Sequence, residues 1–427
     1  MIDSICRRLN GKRILIAGFG REGKSSLRFL QRYMPDAIVG IADRNESAFQ
    51  DVDKEIYSLY FGDDYLKVSS DYDVVIKTPG ISVKDVDINF SKITSQTDLF
   101  LEAFHSQVIG ITGTKGKSTT STLIYHLLKE SGNEVILAGN IGIPILDCVD
   151  DINERTIVVY ELSAHQLQFI NKSPHVGILL NVFEEHLDHF GTFEKYKEAK
   201  INVLRYMSDG DFAIVNQSIA NGQQSTVAHC IDFDNADFED SDINWDEIPL
   251  LGEHNRRNVK AALCACKSYG LSLESLIPHL YTFKSLEHRQ EYVGIFKGVK
   301  FYNDSISTIP QATIAALKTI KNVNFLLLGG FDRGIDYDPL VTYLKENALP
   351  YILITGQAGQ TIKGKLVAAE YKGNMLEYTD MQSAFEIIRE LAKSGDVCLL
   401  SPAAASYDRY KNFEERGRVF KDLANKF

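Results

Sequence analysis

Long apolar runs are missing from this chain of 427 residues. Nowhere do about 20 consecutive apolar residues accumulate, the length a helix needs to cross a bilayer, so insertion into a membrane is not expected. The opening MIDSICRRLNGKR has no apolar core of the kind that marks a secretory leader, and a cytoplasmic location is expected. Excess positive charge is missing too. Lysine and arginine total 46 against 57 aspartates and glutamates, a net charge of −11, which argues against a nucleic-acid-binding protein. Cysteine is sparse and scattered, at Cys6, Cys148, Cys230, Cys264, Cys266 and Cys398. The close pair Cys264 and Cys266 lies in an apolar helical pattern with no second pair to complete a metal site, so buried free thiols are expected. Repeats and low-complexity tracts are absent.

What is present is ordinary globular composition, 44% hydrophobic and 24% charged, in a chain too long for one core. Short β-branched runs alternate with helical patterns throughout, the signature of parallel α/β architecture. Three blocks emerge. The first has strands at Arg13–Ala17, up to Asp43 and at Asp73–Lys77, the last stopped by the turn Thr78-Pro79-Gly80. The second starts near His105, with strands Val108–Thr112, Val135–Ala138, Ile157–Tyr160 and Val176–Leu180 and a helix over Ser118–Ser131. The third starts near Ser285, with strands near Val299–Tyr302, Val323–Leu328, Tyr351–Ile354 and Val397–Leu400. The acidic stretch Asp232–Asp246 reads as a loop or hairpin. Ligands of open parallel sheets gather beyond the carboxyl ends of strands, where the polar motifs of this chain fall.

The strongest motif is Gly110-Ile-Thr-Gly-Thr-Lys-Gly-Lys-Ser-Thr119, a strand, a glycine loop, a Lys-Ser pair and a helix start in the order a phosphate cradle requires. It is a shortened P-loop, Gly113-x-x-Gly116-Lys117-Ser118, because Ile111 stands where the strict spacing needs glycine. Backbone N–H groups and the helix N-terminus would face phosphate oxygens, Lys117 would reach the β- and γ-phosphates, and the Ser118 hydroxyl would hold Mg²⁺. Glu161 ends an apolar strand, where its carboxylate could serve a hard cation or simply be solvated. The segment Asn181–Phe190 carries two histidines and three acids, and His186 there could be a metal ligand or a capping residue. Lys200 sits in the helical pattern Phe193–Arg205 and spacing alone assigns it nothing. Gly18-x-Gly20-x-x-Gly23, with Asp43 about 20 residues on, has the form of a dinucleotide fingerprint.

Together with Gly139-Asn-Ile-Gly142, Glu161-Leu-Ser-Ala-His-Gln166, Tyr196-x-x-x-Lys200 and Gly252-Glu-His-Asn-x-x-Asn258, these residues resemble the Mur ligases, ATP-dependent enzymes that add amino acids to the peptidoglycan precursor. The C-terminal motifs Leu286-Glu-His-Arg289, Asn303-Asp-Ser305, Leu328-Gly-Gly330 and Ser401–Gly417 are similar to those of the branch that joins glutamate to UDP-N-acetylmuramoyl-L-alanine. The resemblance covers essentially the whole chain. It implies three α/β domains: a Rossmann-like UDP-binding domain over residues 1–104, a P-loop-type ATPase domain over 105–284 and a Rossmann-like glutamate domain over 285–427. It implies ATP contacts at Gly113, Thr114, Lys115, Gly116, Lys117, Ser118 and Thr119, with adenine and ribose contacts at Asn258, Arg289 and Asp304. Two Mg²⁺ sites are implied, one at Ser118 and one at Glu161 and His186, with Lys200 carbamylated so that a cationic amine becomes an anionic oxygen donor. Catalytic roles thus fall on Lys117, His186 and Lys200. The UDP wall would comprise Arg21, Glu22, Asp43, Arg44, Pro79 and Gly80, the last two equally readable as a plain turn. Asn140, Ser163 and Gln166 would face the muramoyl group, and Thr308, Arg333, Ser406 and Phe413 the glutamate.

Two positions depart from the D-glutamate-adding pattern. Ile306-Ser-Thr-Ile replaces a run that begins with lysine, and Arg333 stands where the family has lysine. Isoleucine cannot donate to a carboxylate, whereas a forked guanidinium binds one bidentately. The Asp-Ser-Ile-Ser-Thr run is similar to a subgroup that adds L-glutamate, so both enantiomers stand as expected substrates. The implied reaction passes through an acyl phosphate, in a monomer serving cell-wall synthesis, cell shape and division. Rival readings are a folylpolyglutamate-synthase-like ligase, which lacks a domain like residues 1–104; a nicotinamide dehydrogenase, which leaves residues 110–200 without purpose; and an ATP-sensing regulator.

Overall fold

The computed structural model describes all residues except 84–85, 217–227, 237–241, 246, 251 and 285, and the side chain of Asp188. Residues Met1–Glu247 with Glu253–Phe283 form one compact unit, and Ile248–Gly252 with Lys284–Phe427 form another. The expected third-block start at Ser285 and part of the acidic 232–246 stretch fall outside the described residues.

The first unit holds two sheets. One runs β3-β2-β1-β4-β5, from β1 (Ile14–Ala17), β2 (Val39–Ala42), β3 (Ser58–Tyr60), β4 (Val74–Lys77) and β5 (Ile93–Thr94), all parallel. β1 and β4 are buried at every position, as strands covered on both faces must be, and this is why Ile14–Ala17 and Val74–Ile76 read as unbroken apolar runs rather than alternations, with β4 ending on the buried Lys77. The chain passes from β1 to β2 and β3 on one side and then crosses to β4 on the other. That reversal opens a crevice at the carboxyl ends of β1 and β4.

The other sheet runs β11-β10-β9-β6-β8-β7, with β6 (Val108–Thr112), β7 (Val135–Gly139), β8 (Ile157–Glu161), β9 (Val176–Leu179), β10 (Phe212–Val215) and β11 (His229–Asp232). Here β6 lies between β8 and β9, so the switch point falls at the glycine loop that follows β6. The helix Lys117–Glu130 buries Leu123, Ile124, Leu127 and Leu128, the i, i+1, i+4, i+5 face that a 3.6-residue period aligns. The described part of the acidic stretch ends β11 and forms a short 3-10 turn whose Asp234 pairs bidentately with Arg257 at 2.8 and 2.6 Å.

The second unit carries the sheet β12-β13-β17-β14-β15-β16, from β12 (Glu291–Phe296), β13 (Val299–Asn303), β14 (Val323–Gly329), β15 (Tyr351–Thr355), β16 (Asn374–Glu377) and β17 (Val397–Leu400). A wholly parallel reading needs correction here. β12 pairs antiparallel with β13 through the tight turn Lys297-Gly298, where both residues have positive φ. The start of β12 therefore lies at the carboxyl end of β13, which brings the Arg289 segment to the same edge as Asp304.

Candidate active site

The N-terminal crevice is a cavity of about 630 Å³. It is lined by Gly18, Gly20, Arg21, Glu22, Asp43, Arg44, Asn45, Tyr65, Thr78, Pro79, Gly80, Ile81, Ser82, Asn140 and Gln166. Every residue expected on the UDP wall is there, with two of the three expected at the muramoyl group. Ser163 is not on the lining; it caps its helix, its hydroxyl accepting from the Gln166 N–H while Gln166 Oε1 accepts from the Ser163 N–H. The first glycine, Gly18, has φ +91° and packs its Cα against Thr78, so a side chain there would collide with the opposite wall. Asp43 is fixed by the N–H groups of Phe19 (2.8 Å) and Asn45 (2.9 Å), which turns its carboxylate into a rigid acceptor at the tip of β2. Arg44 is at the rim, 3.6 Å from Asp63. Tyr65, Thr78 and Ser82 were not anticipated as wall residues, because a lone tyrosine, threonine or serine in a loop carries no motif of its own even where a glycine or acid stands nearby.

The loop after β6 wraps as a phosphate cradle does. Gly116 caps the helix with φ +89°, and a Cβ there would lie 2.5 Å from Asn258 Oδ1. Gly116→Ala should therefore combine left-handed strain of about 1–2 kcal/mol with displacement of Asn258. The expected result is a lower unfolding midpoint together with at least a tenfold weaker ATP affinity by calorimetry, whereas unchanged affinity would show that the turn does not shape a nucleotide site. Lys117 Nζ donates to the carbonyls of Gly113 (3.0 Å) and Thr114 (3.2 Å). Thr114 is buried and meets the Tyr196 hydroxyl at 3.2 Å, while Lys115 pairs with Glu185 at 2.7 Å. Ser118 and Thr119 are buried in the first helical turn.

Glu161 is wholly buried, and the register Ile111↔Glu161 sets it beside the start of the cradle. Its Oε1 accepts from Asn140 Nδ2 at 2.8 Å, while its Oε2 has no hydrogen-bond partner. A buried, half-satisfied carboxylate is costly unless something else engages it, and a divalent cation suits an oxygen donor of this kind. His186 has a left-handed backbone (φ 57°) and an exposed ring near His165 and Tyr196. Among the described residues no three His, Cys, Asp or Glu side chains form a ready metal cage, so any cation here would draw on other donors as well.

Lys200 is 1% exposed, on the inner face of the helix Phe193–Arg205, and donates to the Gly113 carbonyl at 2.8 Å. Burial, reinforced by the nearby Lys117 charge, lowers its amine to about 7. His165, pressed against His186 and His189, is pushed down to about 3 by burial and by its cationic neighbours.

In the second unit Asp304 is buried at the end of β13. It accepts from Ser401 Oγ at 2.7 Å and from the Gln290 N–H at 3.1 Å, and burial raises its carboxyl to about 6. Ser305 donates to the Phe413 carbonyl at 2.8 Å and accepts from Arg416 Nε at 3.0 Å. Arg416, itself buried, also donates to the carbonyl of Ala404, two residues before Ser406. Arg333 is exposed and donates to the Thr308 carbonyl at 2.8 Å. Thr308 and Arg333 are thus joined directly, and Phe413 and the loop bearing Ser406 are tied together by Arg416, which carried no assigned role in the sequence. Asn258 belongs to the first unit, Arg289 and Asp304 to the second.

Comparison with known proteins agrees with this geometry. The family described as the Mur ligase middle domain matches residues 111–266, and the Mur ligase glutamate ligase domain matches residues 288–404. A UDP-N-acetylmuramoylalanine--D-glutamate ligase of Symbiobacterium thermophilum is 36% identical over 394 residues, 86% of each chain. One from Geobacillus kaustophilus is 34% identical, covering 97% of this chain and 98% of its own. The fold is shared with the MurF ligase of Thermotoga maritima in complex with ADP, at TM-score 0.57 and 18% identity over 91% of this chain and 95% of the other. With a phosphate cradle, a glycine-turn cavity and a glutamate-ligase domain in one continuous match, the chain belongs to the Mur ligase family.

Proposed function

We propose that this chain is an ATP-dependent ligase that joins the alanyl carboxylate of UDP-N-acetylmuramoyl-L-alanine to the amine of D-glutamate. One observation carries the reading. Asn140 both lines the 630 Å³ cavity and donates to Glu161, which sits beside the phosphate cradle. A UDP-sugar lodged in the cavity thus points its far end at the place where a γ-phosphate would rest.

The alanyl carboxylate attacks the γ-phosphorus of ATP, giving an acyl phosphate and ADP. The glutamate amine then adds to the acyl carbon, and the tetrahedral intermediate expels phosphate. A carboxylate is a poor electrophile, so phosphorylation supplies the leaving group, and the protein contributes positioning and charge stabilisation. Lys117 balances charge on the transferring phosphoryl group, and the cradle N–H groups fix the nucleotide. Two Mg²⁺ ions, when bound, neutralise phosphate charge; Ser118 would hold one, and Glu161, His186 and a carbamylated Lys200 the other. The partnerless Glu161 Oε2 supports that fit. Asn258, Arg289 and Asp304 serve adenine and ribose; Thr308, Arg333, Ser406 and Phe413 serve glutamate. Residues 1–104, 105–284 and 285–427 act as UDP, ATP and glutamate domains of a cytoplasmic monomer with no nucleic-acid partner.

A second reading, L-glutamate as the substrate, is favoured by Ile306 and by the Arg333 fork beside Thr308. Phosphate release measured with UDP-N-acetylmuramoyl-L-alanine and each enantiomer separates the two. Release with D-glutamate at least ten times faster is expected, L-glutamate alone would select the second reading, and silence with both would remove the activity.

A further inference from the structure

The chain enters β12 through a strained turn. His288 (φ 66°) and Gln290 (φ 46°) both hold left-handed backbone, on either side of Arg289. Residues with side chains avoid that conformation, and where it recurs within three residues the surrounding structure must enforce it. The turn is seated on the loop that follows β13. The Gln290 N–H donates to Asp304 Oδ1 at 3.1 Å, and the His288 carbonyl accepts from the Ile306 N–H at 3.1 Å. Relaxing the turn would release Asp304 and displace Arg289, the two residues of this unit proposed at adenine and ribose.

A buried polar network holds the turn in place. Glu291, the first residue of β12, is buried, and its Oε2 accepts from the His288 N–H at 2.8 Å and from Asn303 Nδ2 at 3.0 Å. Asn303, wholly buried at the end of β13, also donates to His288 Nδ1 at 2.9 Å. One carboxylate thus fixes the backbone of the strained histidine directly and its ring through Asn303. A carboxylate so placed stays ionised only beside a compensating charge. Lys421 supplies that charge, its Nζ donating to Glu291 Oε1 and, at 2.9 Å, to Glu287 Oε1. It comes from the C-terminal helix Phe413–Asn425, which is tied to the same network one turn earlier, where the Gly417 carbonyl accepts from Asn303 Nδ2 at 3.3 Å.

We infer that Lys421 is a positioning residue for the nucleotide, holding Arg289 and Asp304 in place through Glu291 and the left-handed turn. Without the ammonium, the buried Glu291 takes up a proton or swings towards water, and the His288 N–H loses its acceptor. The turn then falls back to ordinary backbone, and the Gln290 N–H leaves Asp304. Lys421 acts without touching the ligand, so its effect reaches the nucleotide only through the turn. The inference rests on the proposed reading of Arg289 and Asp304 as nucleotide contacts.

The test is calorimetric binding of ADP with Mg²⁺, and separately of UDP, to the full-length protein. Lys421→Met should weaken ADP about tenfold, the range for losing one hydrogen bond to a charged group, and leave UDP within about twofold. Lys421→Arg should bring ADP affinity back to within about threefold of wild type. In the Glu291→Gln background the side chain still accepts from the His288 N–H but carries no charge, so there Lys421→Met should cost less than about twofold, as coupled residues require. Wild-type ADP affinity in Lys421→Met with only a lowered thermal midpoint, or an equal loss in both backgrounds, would overturn the assignment and leave a structural ion pair. If Lys421→Met does not fold, Lys421→Gln, which keeps a donor without the charge, carries the same expected loss. Wild-type ADP affinity in Arg289→Ala and Asp304→Asn would instead remove the reading of those residues as nucleotide contacts, and the inference with it.

Discussion

Lys117→Ala is expected to lower the rate of acceptor-dependent ADP formation by about 10³-fold or more, with the fold intact. The loss is large because a terminal phosphoryl in flight spreads its charge over three oxygens in a site shielded from water. There a fixed ammonium is worth far more than in solution. The structural cost is small by comparison. Lys117 Nζ is parked on the carbonyls of Gly113 and Thr114, and its removal strips the loop of contacts worth about 1–2 kcal/mol. Circular dichroism and the thermal midpoint should therefore stay near wild type while kcat collapses. A Lys117→Ala protein releasing phosphate at the normal rate would remove the cradle from the mechanism.

The second large effect belongs to Lys200. Burial beside Lys117 leaves its amine with an affinity for the proton near pH 7, so about half is neutral at that pH, about nine-tenths at pH 8 and about a tenth at pH 6. Only the neutral amine can attack CO₂, forming the N–C bond of a carbamate and releasing a proton. In protein equilibrated with ¹³C-bicarbonate, a carbamate carbon resonance should be present at pH 8 and weaken towards pH 6. It should be absent from Lys200→Met, whose kcat should fall by about 10²- to 10³-fold. A variant of unchanged rate, or no resonance at any pH, would make Lys200 a structural lysine bonded to Gly113. The linkage has a definite sign. Because the folded amine holds its proton less tightly than the unfolded one, the unfolded chain carries the extra proton between about 7 and 10.5. This residue's contribution to stability therefore grows as pH rises through that window.

Much of the architecture is legible in the sequence. The apolar runs at 14–17, 74–76, 108–111, 325–328 and 397–400 lie in central strands of parallel sheets, and such strands are apolar on both faces, so their sequences say so. At the margins β7 was read but other strands were silent. β3, β5, β11 and β16 are two to four residues long and partly exposed or very short, and they acquire strand geometry from the neighbour they pair with. β12 was missed because an antiparallel edge strand interrupts the α/β alternation. The local motifs were readable because a phosphate cradle is a local object: glycine torsions, a helix start and a lysine within a few residues.

Sequence by itself determined the chemistry carried within single segments: the cradle at 113–119 and the glycine turn at 18–23, whereas the burial of the Glu161 carboxylate came only with the structure. Tertiary structure alone decided which segments share a wall. Asn140 meets Glu161, Gln166 meets Glu22, Asn258 closes against Gly116 and Arg416 binds the 305 and 404 loops, in pairs separated by 12 to 144 residues. No periodicity encodes such pairings, because they follow from the order in which strands cross at a switch point, and that order is fixed by the packing of whole sheets rather than by the residues that finally touch.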